Sequence, residues 1–337
     1  MQKFTEAYKK ARKVVRNQTF TTEWQEFLEK KCHIKNFFDS SGFDDAYDKT
    51  PYHIRHKIKT SVKTGVNTSG DVIYEAAKGT DKSATKRLER AATLKMIKHV
   101  YHVHKRGGQS VWVYSPPAAD ATWVFDEIAG SETTVKARLA RETEIFSADE
   151  MQWMSSALKF SLKISEDVKH KLAGKVLEES TKDMVKKWFL DEDCTDKELK
   201  SAIHKLHAGF KKIAQCCNSN TLVFTDYPDW RATRNDYFGA AFRGGEGGRF
   251  PVIYLEGAFT RLTGNSGKKW LCAETIIHEM SHHEVSTEDH RYDHHGLKPN
   301  KASFPYAKTI TNADSWGYFA LDLAGYLSKT DSNKVWK

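Results

Sequence analysis

Apolar residues recur at helical spacing through much of this chain, and the period changes once, shortly before its most histidine-rich stretch. Segments near 3–16, 20–36 and 82–104 set apolar positions three and four apart with basic residues between them, which predicts amphipathic helices. The run SVWVY at 110–114 predicts a short strand, SPPAADAT at 115–122 interrupts regular structure, and TTVKARLARET leads helically out of it. From 145 the pattern sharpens. A helix beginning at FSADEM has Ser147 as its N-cap with Glu150 three residues on, a capping box. A second, STKDMVKKWF, ends near Leu190, and a third over 196–214 lines Leu199, Ile203, Leu206, Phe210 and Ile213 along one face. Then TLVFTDY (221–227) and PVIYLEGAF (251–259) predict strands. FRGGEGGRF between them reads as a turn, because it lacks the Lys–Ser/Thr ending of a phosphate-binding loop. CAETIIHEMSHHE (272–284) predicts a helix that follows a strand and loop.

Composition narrows the class. With 39% hydrophobic residues, 29% charged and a mean hydropathy of −0.64, the 337-residue chain has the makeup of a soluble globular protein. It contains no run of about 18 apolar residues, so a membrane-spanning helix is not expected. The basic N-terminus lacks the apolar core of a secretory leader. The five cysteines, two of them adjacent at Cys216 and Cys217, read as reduced thiols rather than a disulfide framework. Charge divides the chain: 25 basic residues face 16 acidic ones up to position 140, and 28 face 28 after it. Two units with different surfaces are expected from that asymmetry. The Lys/Arg/His clusters HIRHKIKTSVK (53–63) and KHVYHVHKR (98–106) are explained by solvated helix faces as well as by nucleic acid, which is not the expected partner.

The stretch from Thr275 to Gly296 packs six histidines and five acidic residues into 22 positions. Within it His278 and His282 are four apart, so both imidazoles leave the same helical face and can share one ion. Glu279 follows the first of them, where a carboxylate can reach a metal-activated water without binding the metal. The third ligand has to come from elsewhere. The last glutamate, Glu288, lies too close to His282 to sit on a later helix, and Val285 and Glu288 do not fit HExxHxxGxxH. Asp289, His290, Asp293, His294, His295 and Asp314 remain as candidates.

At this point the chain resembles the aspzincins, the deuterolysin-like and peptidyl-Lys metallopeptidases. Their HExxH, G-T-x-D-x-x-Y-G and N-A-D-S-Y segments are matched in order by HEMSH (278–282), STEDHRYD (286–293) and NADSW (312–316), and FSADEM, VKKWF and IYLEGAF also look like the family. The resemblance covers about 145–328. It implies one zinc ion per chain held by His278, His282 and Asp289, with Glu279 as general base and then general acid, and Tyr292 donating to the oxyanion. Asp314 sits where lysine-directed members place an acid for the residue after the scissile bond, although an N-cap or a partner to a ligand histidine would suit it too. Ser286 and Asp293 stand in place of both flanking glycines, which leaves His290 as the rival third ligand. The gap between His282 and this motif also looks short by about two residues relative to the lysine-directed members. Trp316 replaces tyrosine, and Gly317 falls where those members carry a second acid.

The fold class expected is α+β: a helix-rich zincin-like metallopeptidase domain with a small β-sheet over 145–337, behind a linker at 116–144. A mostly α-helical, basic N-terminal domain would occupy 1–115. The function expected is a zinc-dependent endopeptidase acting on protein or peptide substrates, with a preference for Lys after the scissile bond. A chaperone, an immunity protein or secretion machinery would be its further partners. On this reading the chain is cytoplasmic before export by a non-classical or contact-dependent route, as a bacterial toxin effector. The alternative is a non-catalytic binding protein on a peptidase scaffold, with the basic unit binding nucleic acid or a partner.

Overall fold

The computed structural model describes residues 111–114, 133, 145–174, 176–219, 222–226, 236, 238–241, 243 and 251–337. The expected helices at 3–16, 20–36 and 82–104, nearly all of the 116–144 linker and most of the 242–250 turn lie outside the described residues. The chain divides into two compact units, one of 1–147 with 226–232 and one of 148–225 with 233–337. In the first, the described residues include the strand Trp112–Tyr114, which falls inside the expected aromatic run. The second holds the chemistry.

That unit opens with three helices. Helix α1 (Ala148–Leu172) begins immediately after Ser147 and buries Met151, Met154, Leu158, Ile164 and Val168. Helix α2 (Glu179–Phe189) stops at Leu190, whose extended backbone ends the hydrogen-bond ladder. Helix α3 (Asp196–Cys217) starts at a capping box absent from the sequence reading: the Thr195 hydroxyl accepts from Glu198 N–H, and the Glu198 carboxylate accepts from Thr195 N–H. Its buried face carries Leu199, Leu206, Phe210 and Ile213, while Ile203, expected on the same face, is only half-buried at its edge.

The sheet of this unit has the order β1–β3–β2, with β1 Val223–Thr225, β2 Gly239–Ala241 and β3 Val252–Leu255. Strands β1 and β3 run parallel, pairing Val223 with Val252, while β2 lies antiparallel to β3, pairing Gly239 with Leu255. The strand expected over 251–259 ends early. After Leu255 the chain turns into helix α4 (Gly257–Thr263), with Glu256 at its N-cap position. All four residues of β3 are buried, so it runs as a continuous apolar segment rather than an alternating one.

Helix α5 (Lys269–Val285) carries the HEMSH motif and is buried without interruption from Cys272 to His282. It is enclosed rather than amphipathic because α1, α3, α4, β2 and the later helix α7 all pack on it. After the turn α6 (Tyr306–Thr309), α7 (Ala313–Leu323) is buried along most of its length, and α8 (Lys329–Val335) closes the unit.

One close approach sets α3 against α7. The Trp316 ring is fully buried, stacks on Phe210 with centroids 5.2 Å apart and donates its indole N–H to Ile310 O at 3.1 Å. It lies where a side chain at position 209 would be: a Cβ on Gly209 would come within 2.3 Å of the ring. The indole therefore requires a glycine opposite it. We expect Gly209→Ala to destabilise the protein by about 1–3 kcal/mol, the cost of overpacking a core, read as a lowered midpoint in denaturant with an unchanged slope.

Candidate metal centre

His278 and His282 lie one helical turn apart on α5, both buried, with ring centroids 4.8 Å apart. Their outward nitrogens are already committed. His278 Nδ1–H donates to Asp314 Oδ1 at 2.7 Å, and His282 Nδ1–H donates to the Thr287 carbonyl at 2.9 Å. Each acceptor fixes the tautomer that leaves a bare lone pair on Nε2. Those two Nε2 atoms face each other at 3.1 Å, and Asp289 Oδ1 lies 3.2 Å from each.

Three lone-pair atoms in a triangle of about 3.2 Å repel one another unless a cation lies among them. Tetrahedral zinc with bonds of about 2.0–2.1 Å sets neighbouring donor atoms about 3.3 Å apart. The donor set, two imidazoles and a carboxylate, is also one that zinc takes in sites with a fourth position open. On both counts the residues present fit the ion.

The electrostatics point the same way. Burial by itself would strip charge from His278, yet the carboxylates of Asp289 and Asp314 outweigh it and raise its affinity for a proton well above that of an ordinary histidine. Burial opposes charge on Asp289 too, but the two histidines hold its carboxyl well below the usual range. That field favours positive charge at the triangle. A metal ion can satisfy all three donors at once, which a proton cannot. Burial raises Glu279, with Asp289 and Asp314 adding to the effect against the two histidines. Burial likewise pushes the Tyr292 phenol up to about 12, and the Asp289 charge adds to it.

The loop carrying Asp289 is strapped to the NADSW segment. Glu288 N–H donates to Thr311 O at 2.7 Å, Ala313 N–H to Glu288 O at 3.0 Å, and Arg291 N–H to the Asn312 side chain at 2.8 Å. Asp293 N–H donates to Asp314 Oδ2 at 2.7 Å, and the Tyr318 hydroxyl donates to Asp293 Oδ2 at 3.0 Å. The two positions lacking glycine are thereby accounted for. Ser286 itself adopts the left-handed conformation at the C-cap of α5 (φ 60°, ψ 41°), and Asp293 is tied down by side chains.

The structure brings His278, Glu279, His282 and Asp289 together. It turns His290 away, its Nε2 meeting Thr311 Oγ1 at 3.0 Å. Tyr292 is 41% exposed and stacks on His294 with ring centroids 5.9 Å apart. Asp314, assigned by resemblance to a substrate pocket, is buried with one oxygen on His278 and the other on the Asp293 amide. This geometry matches the other role weighed for it, the partner of a ligand histidine. Gly317 has no room for a second acid, since a Cβ there would fall 2.3 Å from Glu274 Oε1. Glu274 is buried, with that oxygen unpartnered among the described residues, and burial followed by the Asp314 charge raises its carboxyl well above the ordinary range. Sequence reasoning missed Thr287, Asn312 and Glu274. Thr287 and Asn312 lie inside the motifs quoted above with no role assigned to them, and Glu274 is an acid one turn before the first histidine.

Residues 175–321 match the family described as lysine-specific metallo-endopeptidase, the aspzincins, whose members are zinc metalloendopeptidases and so hydrolases. No curated protein matches the chain. Replacing Asp289 with alanine should abolish stoichiometric zinc, measured by elemental analysis of purified protein, whereas His290→Ala should leave it near one ion per chain.

Proposed function

We propose that this chain, an aspzincin-type metallopeptidase by that match, hydrolyses internal peptide bonds with Glu279 moving the proton. The observation carrying the proposal is the triangle of His278 Nε2, His282 Nε2 and Asp289 Oδ1, with a buried carboxylate on the residue after the first histidine. Zinc held there would supply Lewis-acid chemistry, polarising a carbonyl and lowering the pKa of water toward neutrality.

Glu279 does the proton work. The residue is 4% exposed, and burial raises its proton affinity, which suits a base that must take a proton from the attacking water and hand it to the departing amine nitrogen. The Tyr292 hydroxyl, protonated at neutral pH, donates to the substrate carbonyl oxygen as charge develops on it. Asp314 acts through His278, holding the imidazole in the tautomer that points Nε2 inward, and through Asp293, holding the loop that presents Asp289 and Tyr292.

The backbone of β2 gives an extended peptide a place to lie. Glu256 N–H donates to Phe238 O at 2.9 Å, so the 238/256 pair is a hydrogen-bonded pair of the ladder. By the alternation of antiparallel strands, residues 239 and 241 turn their N–H and C=O groups to the open edge. Among the described residues no strand occupies that edge. A substrate added there would run beside Glu279 by main-chain pairing, which tolerates many side chains.

Preference for lysine after the cut rests on the family description, because both Asp314 oxygens are taken by the protein. Mapping cut sites in denatured casein by mass spectrometry decides it: enrichment of Lys after the cut supports the preference, and a flat distribution removes it. For the reaction itself, Glu279→Gln should keep zinc and lose at least about 10²-fold in kcat/KM, the scale of a lost general base. Equal cleavage by both proteins would remove Glu279 as the base, and no cleavage by either would favour the non-catalytic reading.

A further inference from the structure

The described residues include no hydrogen-bond donor to the Glu279 carboxylate. Something else has to fix where it points, because a glutamate side chain has three rotatable bonds and freedom at any of them moves the base away from the reacting water. What lies against it is the edge strand. A Cβ built on Gly239 would stand 3.3 Å from both Glu279 Cγ and Glu279 Oε1, and 2.9 Å from Tyr254 O. The Glu279 side chain therefore lies over the space that a side chain at Gly239 would enter, with Tyr254 O closing that space from the strand behind.

We infer that Gly239 is a positioning residue: because it lacks a side chain, the Glu279 side chain can lie over this point of β2, and that seat places the carboxylate used in the proposed reaction. The inference rests on the reading of Glu279 as base, but the contact itself does not. Gly239 is one of the two β2 residues whose backbone faces the open edge, so a peptide pairing there would meet the same residue that confines the base. Substrate docking and base placement thus share one backbone position. Neighbouring Ala240 and Ala241, which carry a Cβ, show that β2 itself has no aversion to side chains. The requirement is local to the residue over Glu279.

The test uses the full chain and combines kinetics with stability. Gly239→Ala should lower kcat by about 10²-fold, the effect of a misplacement of about 1 Å. It should leave KM within about twofold and bound zinc unchanged. A thermal-melt cycle provides the readout independent of catalysis: Gly239→Ala should lower Tm more when Glu279 is present than in the Glu279→Ala background, where only the approach to Tyr254 O remains. Equal Tm losses in the two backgrounds would overturn the inference, as would a variant that fails to fold in both. Folding only when Glu279 is removed would establish the contact outright. If wild-type protein binds zinc but cuts nothing, the peptidase reading fails while the melt cycle still decides the role of Gly239.

Discussion

Two lone pairs and a carboxylate oxygen pressed together in a buried place form an arrangement that a positive ion alone makes favourable. Everything around the HEMSH helix serves to keep that arrangement from relaxing. Asp314 and the Thr287 carbonyl hold the two imidazoles by their far nitrogens, so neither ring can rotate to relieve the repulsion. The segment from Glu288 to Asp293 is laced to Thr311–Asp314 by backbone and side-chain bonds, so Asp289 cannot withdraw. Burying the helix on all sides then lowers the local dielectric, which strengthens each of these terms.

The grouping of His278, Glu279 and His282 was legible because a period of 3.6 residues converts an i, i+4 spacing into a shared face without knowledge of the rest of the chain. That Asp289 lies beside them was legible through an ordered set of motifs, where the residues alone left six candidates. Which way Asp314 turns was not, although partnership with a histidine was one of the roles weighed for it. Its 36-residue separation from His278 is bridged by the packing of α7 on α5, and no local pattern reports which way a buried carboxylate turns. The end of β3 was misjudged for a related reason. VIYLEGAF keeps an apolar composition through Phe259, but Gly257 begins a helix whose buried residues are apolar as well, and an apolar run of that length does not reveal its own period.

Departures from the family pattern are matched by compensations elsewhere in this chain. Trp316 is larger than the tyrosine expected and is accommodated by Gly209 on a different helix. Gly317, lacking the second acid, leaves its space to Glu274. Asp293, standing where a glycine was expected, gains two bonds to α7 that glycine could make only in part. Each change is intelligible only with its partner in view, and for that reason single-position comparison made them look like defects.

The short crossover from α5 to Asp289 has a consequence of its own. Ser286 ends the helix by turning left-handed, the Thr287 carbonyl turns back to His282, and Asp289 then arrives beside the two imidazoles with only Glu288 between. Four residues of fixed length act as a spacer of defined reach. Serine takes the left-handed turn that glycine would adopt more easily, but one residue more or fewer would swing the carboxylate away from the two imidazoles. The segment therefore works as a ruler: in this chain its register against α5, more than the identity of its members, decides whether the carboxylate oxygen reaches both imidazoles.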